Sequence, residues 1–268
     1  MSVVSPNVPK QTQQPSGALA PSKRETLRTG QTNQPTFPRL ADDAAVPVPV
    51  RGREFLKRAL DLVLAVIVLV LATPIVFLLA IVVRCTSRGP AIYRQTRLGW
   101  NDRPFTLYKL RTMEHDCERL TGPCWAVPND PRITLVGRFL RGLHLDELPQ
   151  VWNILRGDMS FIGPRPERPE IIDRLEQTIP KYAVRRQVRP GLTGLAQLQL
   201  PPDVSIACVR RKLVYDLHYI EEASLWLDLR ILAATALKLM GLSCQVMHPI
   251  AVVVNPCAER VAPRRAPC

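Results

Sequence analysis

The feature that most constrains this chain is an uncharged apolar run from Leu62 to Val83, interrupted near its middle by Thr73 and Pro74. As a helix, the run would be about 33 Å long, enough to cross a hydrocarbon core of about 30 Å. Proline removes one backbone hydrogen bond and clashes with the preceding turn, so it kinks or breaks a helix. The run therefore predicts a membrane helix that changes direction at residues 73 and 74.

Basic residues lie on both sides of this run: Arg51, Arg53, Lys57 and Arg58 before it, and Arg84, Arg88, Arg94 and Arg97 after it. Basic flanks favour the cytoplasmic side, so a single crossing should leave one flank less basic than the other. A re-entrant helix that bends at Thr73-Pro74 and returns to the same face satisfies both flanks. Kinked helices also cross membranes, so both paths stay open on the residues alone.

Composition divides the chain into four segments. Residues 1–50 are rich in Pro, Gln, Thr and Ser without an apolar period, which predicts a disordered tail. The membrane helix-break-helix then covers 51–88, one compact domain covers 89–245, and a second loose tail covers 246–268. The expected fold class is α+β, mostly helical, with a small β-hairpin.

The formal net charge is +13, so the expected partners are anionic: nucleic acid, acidic lipid head groups or a phosphorylated small substrate. Aromatic residues make up only 6% of the chain and do not interleave with the basic runs, so we expect no nucleic-acid partner. Seven cysteines form no C-x-x-C pair, which is typical of reduced thiols on the cytosolic side of a membrane.

After the apolar run, "AIYRQ" and "FTLYKL" have the composition of two short strands, and Asn101-Asp102 between them favours a turn. The hairpin would carry a basic surface formed by Arg94, Arg97, Lys109 and Arg111. Scattered solvated charges are the alternative interpretation.

Two adjacent carboxylates, Asp146 and Glu147, follow a short predicted helix in "RITLVGRFLRGLHL". Asp146 is a good N-cap residue, Pro149 is tolerated in a first helical turn, and Gly157 is a good stop, so "DELPQVWNILRG" predicts a second helix. A cap and a dipole partner would account for both carboxylates, but not for the arginines around them.

Those arginines are held on stiff backbone. Pro164 and Pro166 fix φ on either side of Arg165, which suits bidentate phosphate recognition, and Arg189 precedes a Pro-Gly turn. An acidic pair, rigid arginines and a membrane anchor are the parts of an enzyme that acts on a phosphate ester at a membrane surface. A negative substrate beside two carboxylates would require a divalent cation, most plausibly Mg²⁺.

About two thirds of the chain resembles the bacterial sugar transferases that act as monotopic phosphoglycosyl transferases. The segments that carry the resemblance are "KRALD", Thr73-Pro74, "GPAIYRQTRLG", "FTLYKLRTM", "NDPRITLVGRFLR", "LDELPQVWNILRGDMSFIGPRP", "VRPGLTGLAQ" and "YDLHYIEEASLWLDLRIL". The resemblance implies transfer of sugar 1-phosphate from a UDP-sugar to a polyprenyl phosphate such as undecaprenyl phosphate. UMP is released, and the reaction initiates exopolysaccharide, capsule or glycoconjugate synthesis.

The same resemblance implies residue roles. Asp146 would be the nucleophile that forms a covalent aspartyl-phosphosugar intermediate, and Glu147 would hold Mg²⁺ or position the phosphate. Phosphate and substrate contacts are expected from Arg141 and Arg165, with weaker candidates in Lys109, Arg111 and Arg189. It also implies a re-entrant helix broken at Thr73-Pro74, with the catalytic domain on the cytoplasmic face of the bacterial inner membrane.

Two positions depart from the family pattern. His144 replaces the usual Ser or Thr before "LDELPQ", and Gln197 is followed by "LQLPPD" where many members have a polar Asn-Gly segment, which bears on donor contacts. The rival hypothesis is a non-catalytic membrane scaffold whose basic surface binds anionic lipid. It explains the charge and the anchor but gives no role to Asp146, Glu147 or the Pro-Arg-Pro segment.

Overall fold

The part of the chain that the computed structural model describes comprises residues 51–119, 122, 125, 127 and 129–241. The two predicted tails lie outside these residues. The described part is mostly helical with two small two-stranded sheets, which confirms the predicted mixture of many helices and a hairpin.

Helix α1, Arg51–Thr86, stays helical through Pro74. Its apolar side chains are largely exposed, Phe77 among them, and of the described helices it alone is long and apolar enough to cross a membrane. Thr73 Oγ1 donates to the Leu69 carbonyl oxygen at 2.6 Å, so the hydroxyl bonds into the turn before the proline. The helix therefore does not end at the proline, and the re-entrant path stays a prediction.

The N-terminal half of α1 is attached to the rest of the domain by polar contacts. Lys57 Nζ donates to Asp228 Oδ2 at 3.0 Å. The Arg58 guanidinium donates to the carbonyl oxygens of Ile154 and Leu155 at 2.6 and 2.8 Å. These carbonyls lie at the end of a short helix, where backbone acceptors lack intrahelical partners.

The C-terminal half of α1 packs on the same domain by apolar contacts. Val83 forms a buried cluster with Leu110 and Leu140. Arg111 Nη2 donates to the Ser87 carbonyl oxygen at 2.8 Å, just beyond the end of the helix. Both ends of the apolar helix thus contact one domain.

The predicted hairpin is confirmed. Strands β1, Ile92–Leu98, and β2, Pro104–Leu110, pair antiparallel. Asn101 and Asp102 turn the chain between them with φ of 51° and 60°, a left-handed conformation that Asn and Asp tolerate better than most residues.

Helix α2, Leu135–Gly142, begins at Thr134, whose Oγ1 accepts from the Gly137 backbone N–H at 2.9 Å. A Cβ on Gly137 would lie 2.0 Å from the Thr112 carbonyl oxygen. Only glycine therefore permits α2 to lie this close to the end of β2.

The predicted helix from Asp146 is instead two elements, a 3-10 helix over Leu145–Gln150 and helix α3 over Val151–Arg156. The prediction that Asp146 caps the helix is wrong, because Asp146 lies inside the 3-10 turn and left-handed His144 precedes it. The helix stops at Gly157 as predicted, with φ of 91°.

The remaining elements complete the domain: β3 Ser160–Ile162, α4 Pro169–Thr178, a 3-10 helix Tyr182–Gln187, β4 Gly191–Thr193, α5 Leu195–Gln199, α6 Ile206–Glu221 and α7 Leu225–Leu239. Strands β3 and β4 pair in parallel. A Cβ on Gly191 would lie 2.1 Å from the Gly163 backbone nitrogen, so glycine is required where the two backbones meet.

Candidate active site

Asp146 and Glu147 lie on the 3-10 turn beside strand β2, and a buried asparagine fixes the turn relative to the strand. Asn153 Nδ2 donates to the Thr106 carbonyl oxygen at 2.7 Å, and Asn153 Oδ1 accepts from the Tyr108 backbone N–H at 3.2 Å. Asn153 is fully buried. Asn153 is not among the residues predicted from the sequence, although a polar amide within a short apolar helix is a signal that could have identified it.

Glu147 accepts two charge-assisted hydrogen bonds through one oxygen. Lys109 Nζ lies 2.7 Å and Arg165 Nη2 lies 2.6 Å from Glu147 Oε1. Burial alone would raise the pKa of Glu147, but Arg165 and Lys109 outweigh it and hold the pKa well below its usual range. Glu147 is thus ionised across the physiological pH range.

Asp146 differs from its neighbour in the direction of its pKa shift. It is 7% exposed, and burial, together with the Glu147 charge, raises its pKa above the ordinary value, although Lys109, Arg141 and Arg165 oppose the shift. Among the described residues, none donates a hydrogen bond to its carboxylate. Two adjacent carboxyls whose environments separate their pKa values are typical of groups with different chemical roles.

Arg141 reaches the site from helix α2. Its Nε donates to Thr112 Oγ1 at 2.8 Å, which fixes the guanidinium beside the end of β2. The close approach at Gly137 makes this contact possible, and the charge of Arg141 acts on Asp146. Arg141, Arg165 and Lys109 therefore bring their charges to the acidic pair, and phosphate binding by them stays a prediction.

Arg111 and Arg189 make their contacts elsewhere. Arg111 is buried and donates to the backbone and side-chain oxygens of Ser87. Arg189 Nη1 donates to Glu54 Oε2 at 3.1 Å, and its guanidinium lies 4.5 Å from the centre of the Trp100 ring. Both arginines fasten the domain to the ends of α1, and a phosphate-binding role for them stays a prediction.

The acidic pair fits a Mg²⁺ ion. Glu147 Oε1 is occupied by Lys109 and Arg165, but among the described residues Glu147 Oε2 accepts no hydrogen bond. No group of three or more His, Cys, Asp or Glu side chains clusters in the described part of the chain. Mg²⁺ is commonly held by one or two carboxylates together with substrate phosphates, so Glu147 Oε2 and the Asp146 carboxylate are the groups that would hold it.

Adjacent carboxylates close to several cations, on a domain that carries a long apolar helix, are typical of enzymes that transfer phosphate groups at a membrane. Comparison with known proteins makes the class specific. The family model described as "Bacterial sugar transferase" matches residues 52–241. This chain belongs to the bacterial sugar transferase family.

Curated relatives are similar over most of this chain. A UDP-glucose:undecaprenyl-phosphate glucose-1-phosphate transferase of Caulobacter vibrioides is 43% identical over 72% of this chain and 73% of the relative. A UDP-N-acetylgalactosamine-undecaprenyl-phosphate N-acetylgalactosaminephosphotransferase of Aeromonas hydrophila is 40% identical over 71% of this chain and 44% of the relative.

An enzyme of Escherichia coli with the same name as the Caulobacter relative is 39% identical over 75% of this chain and 45% of its own length. The chain thus spans less than half of two of these three relatives. Their names agree on the class of reaction, and the chain is a sugar-phosphate transferase.

Proposed function

We propose that this enzyme transfers sugar 1-phosphate from a UDP-sugar to undecaprenyl phosphate through a covalent intermediate on Asp146. The observation that carries the proposal is the split between the two carboxylates: Glu147 is held ionised by Lys109 and Arg165, while Asp146 has a raised pKa and no hydrogen-bond donor among the described residues. A carboxylate that accepts no hydrogen bond and has the higher pKa is a better nucleophile than its hydrogen-bonded neighbour.

In the first step, an Asp146 carboxylate oxygen attacks the β-phosphorus of the UDP-sugar. The bond from that phosphorus to the bridging oxygen breaks, and the oxygen leaves on UMP with its electron pair. Arg141 and Arg165 bind the phosphate oxygens, because an anionic nucleophile cannot approach a diphosphate whose charge is not offset. The Arg165 side chain is 38% exposed, so its guanidinium can contact substrate while it holds Glu147.

In the second step, a phosphate oxygen of undecaprenyl phosphate attacks the phosphorus of the aspartyl-phosphosugar. The bond to the Asp146 oxygen breaks, which regenerates the carboxylate and yields the undecaprenyl-diphosphate sugar. Two successive displacements let a water-soluble donor and a lipid acceptor use one site in turn. The cations that served the first step serve the second.

Glu147 positions charge at this site and does not itself attack. Its Oε1 orients Lys109 and Arg165, and its Oε2, with Asp146, would hold Mg²⁺, which when bound offsets the negative charge of the donor diphosphate. Replacement of Glu147 would therefore disturb both the cations and the metal.

We propose the re-entrant form for α1, with the catalytic domain on the cytoplasmic face of the inner membrane, and the attachments of the helix support it. Lys57 and Val83 are 26 positions apart, about 39 Å along a helix, and both contact the same domain. A crossing helix would carry its ends to opposite faces, where one domain could not contact both. Cytoplasmic placement agrees with the basic flanks and gives access to nucleotide sugars.

Release of UMP tests the proposal. Purified protein in detergent, supplied with Mg²⁺ and undecaprenyl phosphate, is assayed with UDP-glucose and with UDP-N-acetylgalactosamine, the donors that the relatives' names indicate. We expect UMP from at least one donor and none after Asp146→Asn. Lipid binding without UMP from a wider panel of UDP-sugars would favour the scaffold hypothesis instead.

A further inference from the structure

Arg165 lies in the segment of residues 164–167, whose backbone carbonyl oxygens all accept hydrogen bonds from other elements. Each of its four carbonyl oxygens accepts a hydrogen bond from another element: Pro164 from the Gly191 N–H at 2.9 Å, Arg165 from Arg185 Nη2 at 3.1 Å, Pro166 from Arg97 Nη1 at 3.1 Å, and Glu167 from the Leu98 N–H at 3.2 Å. Two of the four donors are arginine side chains. The segment is thus fixed by side chains as well as by main chain.

Of these two arginines, Arg185 is buried and contacts two further side chains. It is 8% exposed, its Nε lies 2.8 Å from Asp216 Oδ2, and its Nη1 donates to Tyr182 Oη at 2.5 Å. Asp216 is itself 2% exposed and lies on helix α6. One guanidinium therefore joins α6, the 3-10 helix at Tyr182 and the carbonyl of Arg165.

A pocket of about 20 Å³, enough for one water molecule, lies beside this segment and is lined by Arg165, Pro166, Tyr182 and Arg185 among other residues. Packing around the segment is therefore incomplete on this side. Arg185 lines the pocket and also donates to the Arg165 carbonyl oxygen, so a polar contact fixes the backbone beside the gap.

We propose that Arg185 is a positioning residue for the transfer reaction, which orients Arg165 toward Glu147 and the substrate phosphate by holding the Arg165 carbonyl. The proposal rests on the proposed function, in which Arg165 binds the phosphate. A guanidinium has five donors in a fixed fork and can bind Asp216, Tyr182 and a carbonyl together. Lysine could keep the pairing with Asp216 but could not reproduce this fork.

Arg185→Lys is the informative variant, because it keeps the positive charge beside buried Asp216. We expect kcat to fall roughly 10- to 100-fold, as for a catalytic group misplaced by about 1 Å, with a melting temperature close to that of the Arg186→Lys control. Arg186 adjoins Arg185 in sequence but pairs with Asp102 and Glu176 rather than with the carbonyl oxygens of residues 164–167. Arg186→Lys should leave kcat unchanged.

A double-mutant cycle separates positioning from general damage. Arg165→Gln should itself lower kcat, and Arg185→Lys added to it should change kcat by no more than about twofold, since the group that Arg185 positions is already gone. The same loss from Arg185→Lys in both backgrounds would overturn the proposal, as would wild-type kcat in the single variant.

Failure of the inference and failure of the proposed function give different results. An inactive wild type, or an active Asp146→Asn variant, contradicts the proposed function whatever Arg185 does. If Arg185→Lys does not fold, Arg97→Lys tests the same segment from its other side by the loss of the Pro166 contact, and the same cycle with Arg165→Gln applies. Additive losses of kcat in the cycle of Arg97→Lys with Arg165→Gln would equally contradict the proposal that arginine side chains position Arg165.

Discussion

Lys57 Nζ lies 3.0 Å from Asp228 Oδ2, a contact between residues 171 positions apart. Both side chains are buried, and Asp228 Oδ1 also accepts from Tyr219 Oη at 2.7 Å. A buried carboxylate that loses its cation is strongly destabilising, so this pair is a firm attachment of α1 to α7. This contact therefore joins the start of the apolar helix α1 to helix α7.

We expect Lys57→Met to lower the free energy of unfolding by about 3 kcal/mol, because it leaves Asp228 buried without its nearest cation. Arg53, 3.8 Å from the same carboxylate oxygen, offsets part of the loss. Chemical denaturation of protein in detergent measures the change. Lys57→Arg keeps the charge and should recover most of the stability; equal destabilisation by both variants would show that the ion pair is unimportant.

The re-entrant path of α1 can be tested by labelling exposed cysteines. Phe55 is 75% exposed near one end of the helix, and native Cys85 is exposed near the other. With all other cysteines replaced, Phe55→Cys and Cys85, each present alone, should react with a membrane-impermeant maleimide only from the cytoplasmic side. A Phe55→Cys variant that labels from the periplasm in intact cells would mean that α1 crosses the membrane.

Asp146→Asn should abolish UMP formation and leave the fold unchanged. An amide is isosteric with the carboxylate but cannot displace UMP, and Asp146 accepts no hydrogen bond within the described residues whose loss would destabilise the protein. UMP release and thermal melting measure the two properties. UMP production near the wild-type rate would refute Asp146 as the nucleophile.

Glu147→Gln should lower kcat by at least about 100-fold, since a neutral amide oxygen holds Lys109 and Arg165 less firmly than the carboxylate does and the proposed Mg²⁺ ligand is lost. The residual activity should require more Mg²⁺ than the wild type requires. A Mg²⁺ titration of UMP release checks this. An unchanged Mg²⁺ dependence would restrict Glu147 to orienting the two cations.

A covalent intermediate predicts a protein adduct when the donor is supplied without undecaprenyl phosphate. Intact-mass measurement after an acid quench should show an added sugar phosphate on the wild type and none on Asp146→Asn. Subsequent addition of undecaprenyl phosphate should remove the adduct, because the lipid phosphate displaces Asp146. Steady-state rates should follow ping-pong kinetics, whereas intersecting patterns with no adduct would indicate direct transfer.

The pH dependence tests the proposed nucleophile, because Asp146 would attack only when its carboxyl group is ionised. Its raised pKa means that kcat falls as pH drops through a midpoint above the ordinary aspartate value of about 3.9. Lys109 lowers the pKa of Asp146, so Lys109→Gln should move the acid limb of the residual activity to higher pH. Arg103→Gln, which removes an exposed cation from the hairpin, is the control and should leave the limb in place.

The sequence alone determined the features that depend on neighbouring residues. The uncharged run specifies a long apolar helix, Asn101-Asp102 specifies a turn, and Gly157 ends a helix, because each depends on local sterics or on the apolar content of one segment. The same locality explains the error at Asp146. Its capping propensity was real, but left-handed His144 redirects the chain, and a 3-10 turn takes the place of the expected first helical turn.

Tertiary structure alone decided which cations meet the acidic pair. Lys109, Arg111, Arg165 and Arg189 all looked like phosphate ligands, yet two of them bind Glu147 and two fasten α1. Lys109 is 38 and Arg165 is 18 positions from Glu147, so their contacts depend on how β2 and the Pro-Arg-Pro segment pack around the 3-10 turn. Residue type states what a side chain can bind, but long-range packing determines what lies within its reach.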